Sequence, residues 1–287
     1  MDAQLLRDFV PTKSFFVGID SDGCVFDTME IKHKECFAPM FIKHFHLQAA
    51  SKYARQAWEH VNLYSTSRGC NRFHALSLTL SLLRKKPEVI ARGVAIADTK
   101  PLDDWAARET KLSNETLAAE IKRGNYALAP VMAWSKAVDA AIEDIVQAVP
   151  PFPKVRECLE KITQQADAIV ISQTPTLALR REWAEHHIDG HVKLIAGQEL
   201  GSKSEHLKLA ARGKYSENHI LMIGDAPGDQ KAAQANGALF YPIVPGGEEQ
   251  SWQRLLEEGL PRFFDGKFAG DYAGAVLRAF DASLREN

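Results

Sequence analysis

The sequence is short of the features that usually betray an environment. Only four of its 287 residues are cysteines, Cys24, Cys36, Cys70 and Cys158, scattered widely and without a CxxC pair. Neither a zinc knuckle nor a disulfide framework is indicated, and the thiols read as reduced. No apolar run approaches the roughly 18 residues of a membrane span. Charge of one sign is missing as well: 35 Lys+Arg stand against 37 Asp+Glu, so there is no basic field to hold nucleic acid or an anionic membrane, and neither is expected as a partner. The opening residues, MDAQLLRDFVPTKS, carry acids and lack a basic start followed by an apolar stretch, so a cytoplasmic location is expected. Internal repeats and low-complexity segments are absent. What is present, 45% hydrophobic and 25% charged residues, is a globular composition with enough chain for one large domain or two modest ones.

Two regions differ in rhythm. From Lys154 onward, helical patterns alternate with short apolar runs: VRECLEKITQQ, AIVIS, TLALRREWAEHHI, VKLIAG, SEHLKLAA, ILMIGD, DQKAAQA and ALFYPIV. This alternation predicts an α/β fold, a Rossmann-like parallel sheet flanked by helices. The stretch after Asp27 is helical with little strand signal, in SKYARQAWEHVNLY, RFHALSLTLSLLRKK, LDDWAARETKL, ETLAAEIKRG and AWSKAVDAAIEDIVQAV. The Pro-rich junction AVPPFPK ends it, because proline forbids helix continuation. One strand-like run, SFFVGID, lies ahead of the helical stretch, and a lone strand is unstable. It is therefore expected to join the later sheet, which makes residues 1–27 and 151–287 one discontinuous core and residues 28–150 an inserted α-helical domain.

Three apolar runs end in a residue capable of chemistry: SFFVGID at Asp20, AIVIS at Ser172 and LMIGD at Asp225. In parallel α/β sheets ligands bind beyond the carboxyl ends of the strands, so these three are expected in one crevice. Asp22 and Asp229 follow closely. Four carboxylates around one crevice repel one another unless a cation is present, and an oxygen-only set suits a hard ion such as Mg²⁺. In Asp20-Ser21-Asp22-Gly23, strand alternation separates the two acids and Gly23 allows a sharp turn. One carboxylate can attack a phosphoryl group while the other shuttles a proton. Lys203, opening the KSEHLKLAA helix, can place positive charge on transferring phosphoryl oxygens.

Four ordered motifs, FFVGIDSDGCVFDT, AIVISQT, the Lys203 region and MIGDAPGDQKAA, resemble those of the haloacid dehalogenase-like superfamily of phosphohydrolases. The resemblance implies Asp20 as nucleophile and Asp22 as general acid/base. It implies Ser172 as the phosphoryl-binding hydroxyl, with Gln173 beside it on the substrate side, and Lys203 as the cation that steadies nucleophile and phosphoryl group. It implies Asp225 as a Mg²⁺ ligand, joined by the Asp20 carboxylate and the Asp22 backbone carbonyl, with Asp229 as the second acid of the GDxxxD motif. Because the superfamily's dehalogenases lack the acid two residues after the nucleophile, Asp22 implies phosphate-ester chemistry. Cys24 and Gln173 depart from the usual Thr or Val and Asn, and neither removes a required group.

The inserted helices occupy the place where the superfamily carries a substrate-selecting cap, as in phosphoglycolate phosphatase and β-phosphoglucomutase relatives. Within NLYSTSRGCNRFHAL, Arg68 and Arg72 are candidates for substrate contact, since a guanidinium binds carboxylate or phosphate through two parallel bonds. The alternative for both is a solvated surface charge. Tyr53, Trp58, Trp105 and Trp134 sit in helical patterns and are expected in the core of that domain. The whole predicts Mg²⁺-dependent hydrolysis of a small-molecule phosphate monoester by a monomer or homodimer. The alternatives are a sugar phosphomutase, which returns the phosphoryl group to its substrate, and a non-catalytic phosphate-binding protein.

Overall fold

The computed structural model describes residues 3–286. The chain divides into two compact units, Met1–Thr28 with Ala148–Leu284, and Met29–Gln147 with Arg285–Asn287.

The first unit is built on five parallel strands, β1 (Phe15–Ile19), β2 (Ala166–Ile171), β3 (Leu194–Ala196), β4 (Ile220–Gly224) and β5 (Leu239–Pro242), in the order β3-β2-β1-β4-β5. Their apolar character on both faces is what a sheet covered by helices on each side requires. Alternate residues divide between two cores. Val17, Ile19, Ala168, Val170, Leu221 and Ile223 enter one, with Trp183 and Trp252. Phe16, Ile169, Ile171, Ile220 and Met222 enter the other, with Leu207 and Phe280. The chain leaves β1 toward β2 and β3 on one side and returns to β4 and β5 on the other, so the strand order reverses beside β1. Ile19 stands opposite both Val170 and Ile223, and the residues that follow β1, β2 and β4 emerge within one residue of the same level at this switch point, the usual place for a ligand in such sheets.

One glycine is required for this packing. A Cβ on Gly18 would lie 2.6 Å from Ile171 Cδ1 and 3.3 Å from Leu207 Cδ2, so the bare strand lets the helix Lys203–Ala210 settle close over β1. That helix starts cleanly. Ser202 Oγ accepts the Glu205 N–H and Glu205 Oε2 accepts the Ser202 N–H at 2.7 Å, a reciprocal cap that fixes where Lys203 begins.

The second unit is helical, with Ala38–His44, Ser51–Leu63, Arg72–Lys85, Lys100–Arg108, Asn114–Lys122 and Ala129–Ile145 as its main helices. Trp58, Trp105 and Trp134 are buried in its core with Phe37, Phe41 and Phe73, and Tyr53 packs against them. Phe37 and Trp58 stack at 5.6 Å, and Trp58 meets Trp134 edge-on at the same separation. Asn71 caps Arg72–Lys85 by accepting the Phe73 N–H at 3.0 Å. Among the described residues no helix is long and apolar enough to cross a membrane.

Candidate active site

Asp20, Asp225 and Asp229 each offer a carboxylate oxygen within 4.8 Å of the others, and all three are buried. Asp20 follows β1, held by its own N–H to the Ile223 carbonyl at 2.9 Å. Its Oδ1 accepts the Ser21 N–H at 2.8 Å, and its Oδ2 accepts from Lys203 Nζ at 2.7 Å. Asp225 follows β4. Asp229 sits in the first turn of Pro227–Ala235, where Oδ2 accepts the Ala226 N–H at 3.1 Å and Oδ1 accepts from Lys203 Nζ at 2.6 Å. The approach is close enough that a Cβ on Gly224 would lie 2.5 Å from Asp229 Cβ.

Two of the three carboxylates, Asp20 and Asp229, share one ammonium, and the electrostatics follow. Burial is the largest influence on Asp20 and raises its pKa, Lys203 pulls it back, and Asp229 raises it again. Asp229 is likewise raised, by burial first and then by Asp225 working against Lys203. Burial disfavours the Lys203 charge, but Asp20 and Asp229 outweigh it and hold the ammonium above the ordinary lysine range. Cys24, buried under this negative field, is kept as a neutral thiol. The cluster is short of positive charge and built of hard oxygen donors, a set that suits a divalent cation such as Mg²⁺.

Asp22 points elsewhere. Its Oδ1 accepts from Thr28 Oγ1 and its Oδ2 from Thr174 Oγ1, both at 2.6 Å. The turn beneath it is tied by the Ser21 carbonyl, which accepts the Val25 N–H at 2.8 Å, while Ser21 Oγ accepts from Trp183 Nε1 at 3.0 Å. Gly23 takes φ 75°, a left-handed conformation that lets the chain make the sharp turn expected there. Ser172 follows β2 with its N–H on the Ala196 carbonyl, and its Oγ accepts the Thr174 N–H at 3.2 Å. Gln173 braces two loops: its Nε2 donates to the Gly201 carbonyl at 3.0 Å and to that of Ser172 at 3.3 Å.

The structure gives the two arginine candidates partners inside the helical unit. Arg68 is buried and donates to the Leu63 carbonyl at 2.9 Å. Arg72 donates to Asp139 Oδ1 at 2.6 Å and Ser135 Oγ at 3.1 Å, with its guanidinium over the Phe37 ring. Thr28 and Thr174 were not foreseen, because a threonine beside a strand end carries no periodic signal. Only the motif neighbours FDT and SQT could have drawn attention to them.

No family model matches the chain, and no curated protein does. Solved structures do. A haloacid dehalogenase-like hydrolase from Bacteroides fragilis is 17% identical over 83% of this chain and 93% of its own, with a TM-score of 0.51. A structure described as a phosphoglycolate phosphatase from Lactobacillus delbrueckii is 12% identical over 90% of this chain and 100% of its own, with a TM-score of 0.47. A magnesium-bound hydrolase of the same type from Bacillus subtilis is 12% identical over 86% and 100%, with a TM-score of 0.42. At these identities the likeness is one of fold: the chain is an α/β protein with the haloacid dehalogenase-like fold.

Proposed function

We propose that this fold serves here as a Mg²⁺-dependent hydrolase of a small-molecule phosphate monoester, working through an aspartyl phosphate on Asp20. The observation that carries the reading is the buried set of three carboxylates, two of them paired to one lysine, at the sheet's switch point and flanked by Ser172 and Asp22. A structural role alone does not call for this excess of negative charge, since buried carboxylates cost stability unless neutralised.

Asp20, Asp225 and Asp229, with the Asp22 backbone carbonyl, are the groups that would hold Mg²⁺, which when bound supplies charge to neutralise the carboxylates and the phosphoryl oxygens. Lys203 steadies Asp20 Oδ2 and leaves the carboxylate aimed by the Ser21 N–H. Ser172 Oγ already accepts from Thr174, so its own proton is free to be donated to a phosphoryl oxygen. Asp20 attacks phosphorus, the bond to the leaving oxygen breaks, and Asp22 gives that oxygen its proton. Asp22, now ionised, takes a proton from water as the water oxygen attacks phosphorus and Asp20 departs. Arg68 and Arg72 remain the candidates for substrate contact in the helical unit.

The test is phosphate release from 4-nitrophenyl phosphate and from sugar, nucleotide and organic-acid phosphates, with and without Mg²⁺. The reading expects turnover that needs Mg²⁺ and falls by about 10³ or more in Asp20→Asn. Turnover that survives in Asp20→Asn removes the aspartyl phosphate, and no release from any ester removes the hydrolase.

A further inference from the structure

We infer that Thr174 is a positioning residue for the proton-transfer step, holding Asp22 through its hydroxyl while its backbone N–H sets the direction of the Ser172 hydroxyl. The inference rests on the phosphoryl-transfer reading and deepens it. Thr174 is the third residue beyond β2 and reaches both groups at once: Oγ1 donates to Asp22 Oδ2 at 2.6 Å, and the N–H donates to Ser172 Oγ at 3.2 Å.

The residue is pinned from several directions. Pro175 follows it and excludes helical backbone at position 174. Its β-branched side chain restricts χ1. Its carbonyl accepts the Gln198 N–H at 3.1 Å, and the loop lies so near the end of β3 that a Cβ on Gly197 would stand 2.5 Å from the Thr174 carbonyl oxygen. A hydroxyl held this firmly leaves the Asp22 carboxylate little freedom, the more so because Thr28 Oγ1 holds the other oxygen at 2.6 Å.

The choice of a hydroxyl also suits the cycle that Asp22 has to complete. A general acid that becomes a general base passes through both protonation states, and at the oxygen that takes the proton an amide or ammonium donor bonds well only to the ionised one. A threonine O–H donates to the carboxylate and, by rotating about its C–O bond, accepts from the carboxylic acid. Thr174 can therefore keep Asp22 in one place whether or not Asp22 carries the proton. In the first step the Asp22 O–H bond breaks and the proton goes to the leaving oxygen as its bond to phosphorus breaks. In the second, the carboxylate receives a proton from the attacking water.

The leaving group distinguishes this role from a merely structural one. Nitrophenolate departs without needing a proton, whereas an alkoxide needs one in the transition state, and kcat/KM reports only the steps through phosphoryl transfer to Asp20. In Thr174→Val, kcat/KM for the alkyl phosphates of the panel is expected to fall about tenfold or more, that for 4-nitrophenyl phosphate to stay within about twofold, and Thr174→Ser to restore most of the difference. Circular dichroism of both variants checks that the fold is kept. Equal losses on both classes of ester, no loss on either, or a serine variant as poor as the valine one would overturn the role of Thr174 and leave the hydrolase standing. A wild-type chain that releases phosphate from neither class removes the reaction and this role together.

Discussion

Two ends of one sheet hold buried aspartates, and they are treated in opposite ways. At the amino end, Asp167 at the start of β2 has a fully buried side chain that accepts from Thr12 N–H and Oγ1 at 2.7 Å each, Lys13 N–H at 3.0 Å and Tyr215 Oη at 2.7 Å, and it pairs with Lys193. Burial alone would raise its pKa, but Lys193, Thr12 and Tyr215 together outweigh burial and hold the carboxyl well below the usual range. At the carboxyl end, Asp20 and Asp229 share Lys203, and both are pushed up. Residue type, burial and sheet are the same at the two ends. The difference is the supply of donors and positive charge: one end is a saturated structural tie for the residues preceding β1, and the other is the end to which the proposed function assigns a cation and a phosphoryl group.

The largest effect that would break this comparison comes from crowding the carboxyl end. In Gly224→Ala the new methyl would meet Asp229 at 2.5 Å, displacing the partner of Lys203. Activity is expected to fall about 100-fold, with a stability loss of roughly 2 kcal/mol from overpacking. Phosphate-release kinetics and denaturant melts measure the two, and unchanged kinetics would show that the position of Asp229 is unimportant.

A smaller effect is expected at the amino end. Asp167→Asn turns an amide toward groups that donate, and the protein is expected to lose roughly 2 kcal/mol while activity per folded molecule stays the same. The pH dependence carries a sign. Because the folded pKa of Asp167 lies below the unfolded value of about 3.9, its contribution is complete above that value and is lost as pH falls through the folded one. The variant should therefore show a shallower acid limb below about pH 4 in a plot of stability against pH. Above that limb, His206, buried and held down to about 4, removes stability as pH falls from about 6.5, while the raised Asp20 and Asp229 return stability over the same span, equally in both proteins. Parallel acid limbs in the two proteins would mean that Asp167 titrates normally in the fold.

Much of the carboxyl end was legible in the sequence, because strands of a parallel sheet read as apolar runs and the chemistry follows their last residue. SFFVGID, AIVIS and LMIGD became β1, β2 and β4 with Asp20, Ser172 and Asp225 just beyond them. The alternation after Lys154 became the parallel sheet, and the patterned stretches between Ser51 and Ile145 became helices. The amino end was not legible. Asp167 lies inside the run ADAIVI, and its partners Thr12, Lys193 and Tyr215 are distant in sequence and share no period with it. The same holds for Thr28 and Thr174, whose meaning depends on which carboxylate the turn at Gly23 brings to them. Gly18 and Gly224 look like ordinary strand glycines until Leu207 and Asp229 are seen against them. The helix Asp271–Ser283, which places Phe280 in the core, was passed over.

The central claim is that the carboxyl end lacks positive charge that a divalent cation supplies. It is tested most directly by melting the wild type, Asp225→Asn and Asp167→Asn in the presence of a chelator and again with Mg²⁺. Binding to the folded state alone stabilises by about 2.7 kcal/mol at 100 times the dissociation constant. The account predicts that Mg²⁺ raises the melting temperature of the wild type and of Asp167→Asn by the same amount and leaves Asp225→Asn unmoved. It also predicts that, with chelator, Asp225→Asn melts no lower than the wild type, because a mutually repelling charge has gone. A wild type indifferent to Mg²⁺, or an Asp225→Asn variant that gains as much as the wild type, would contradict it.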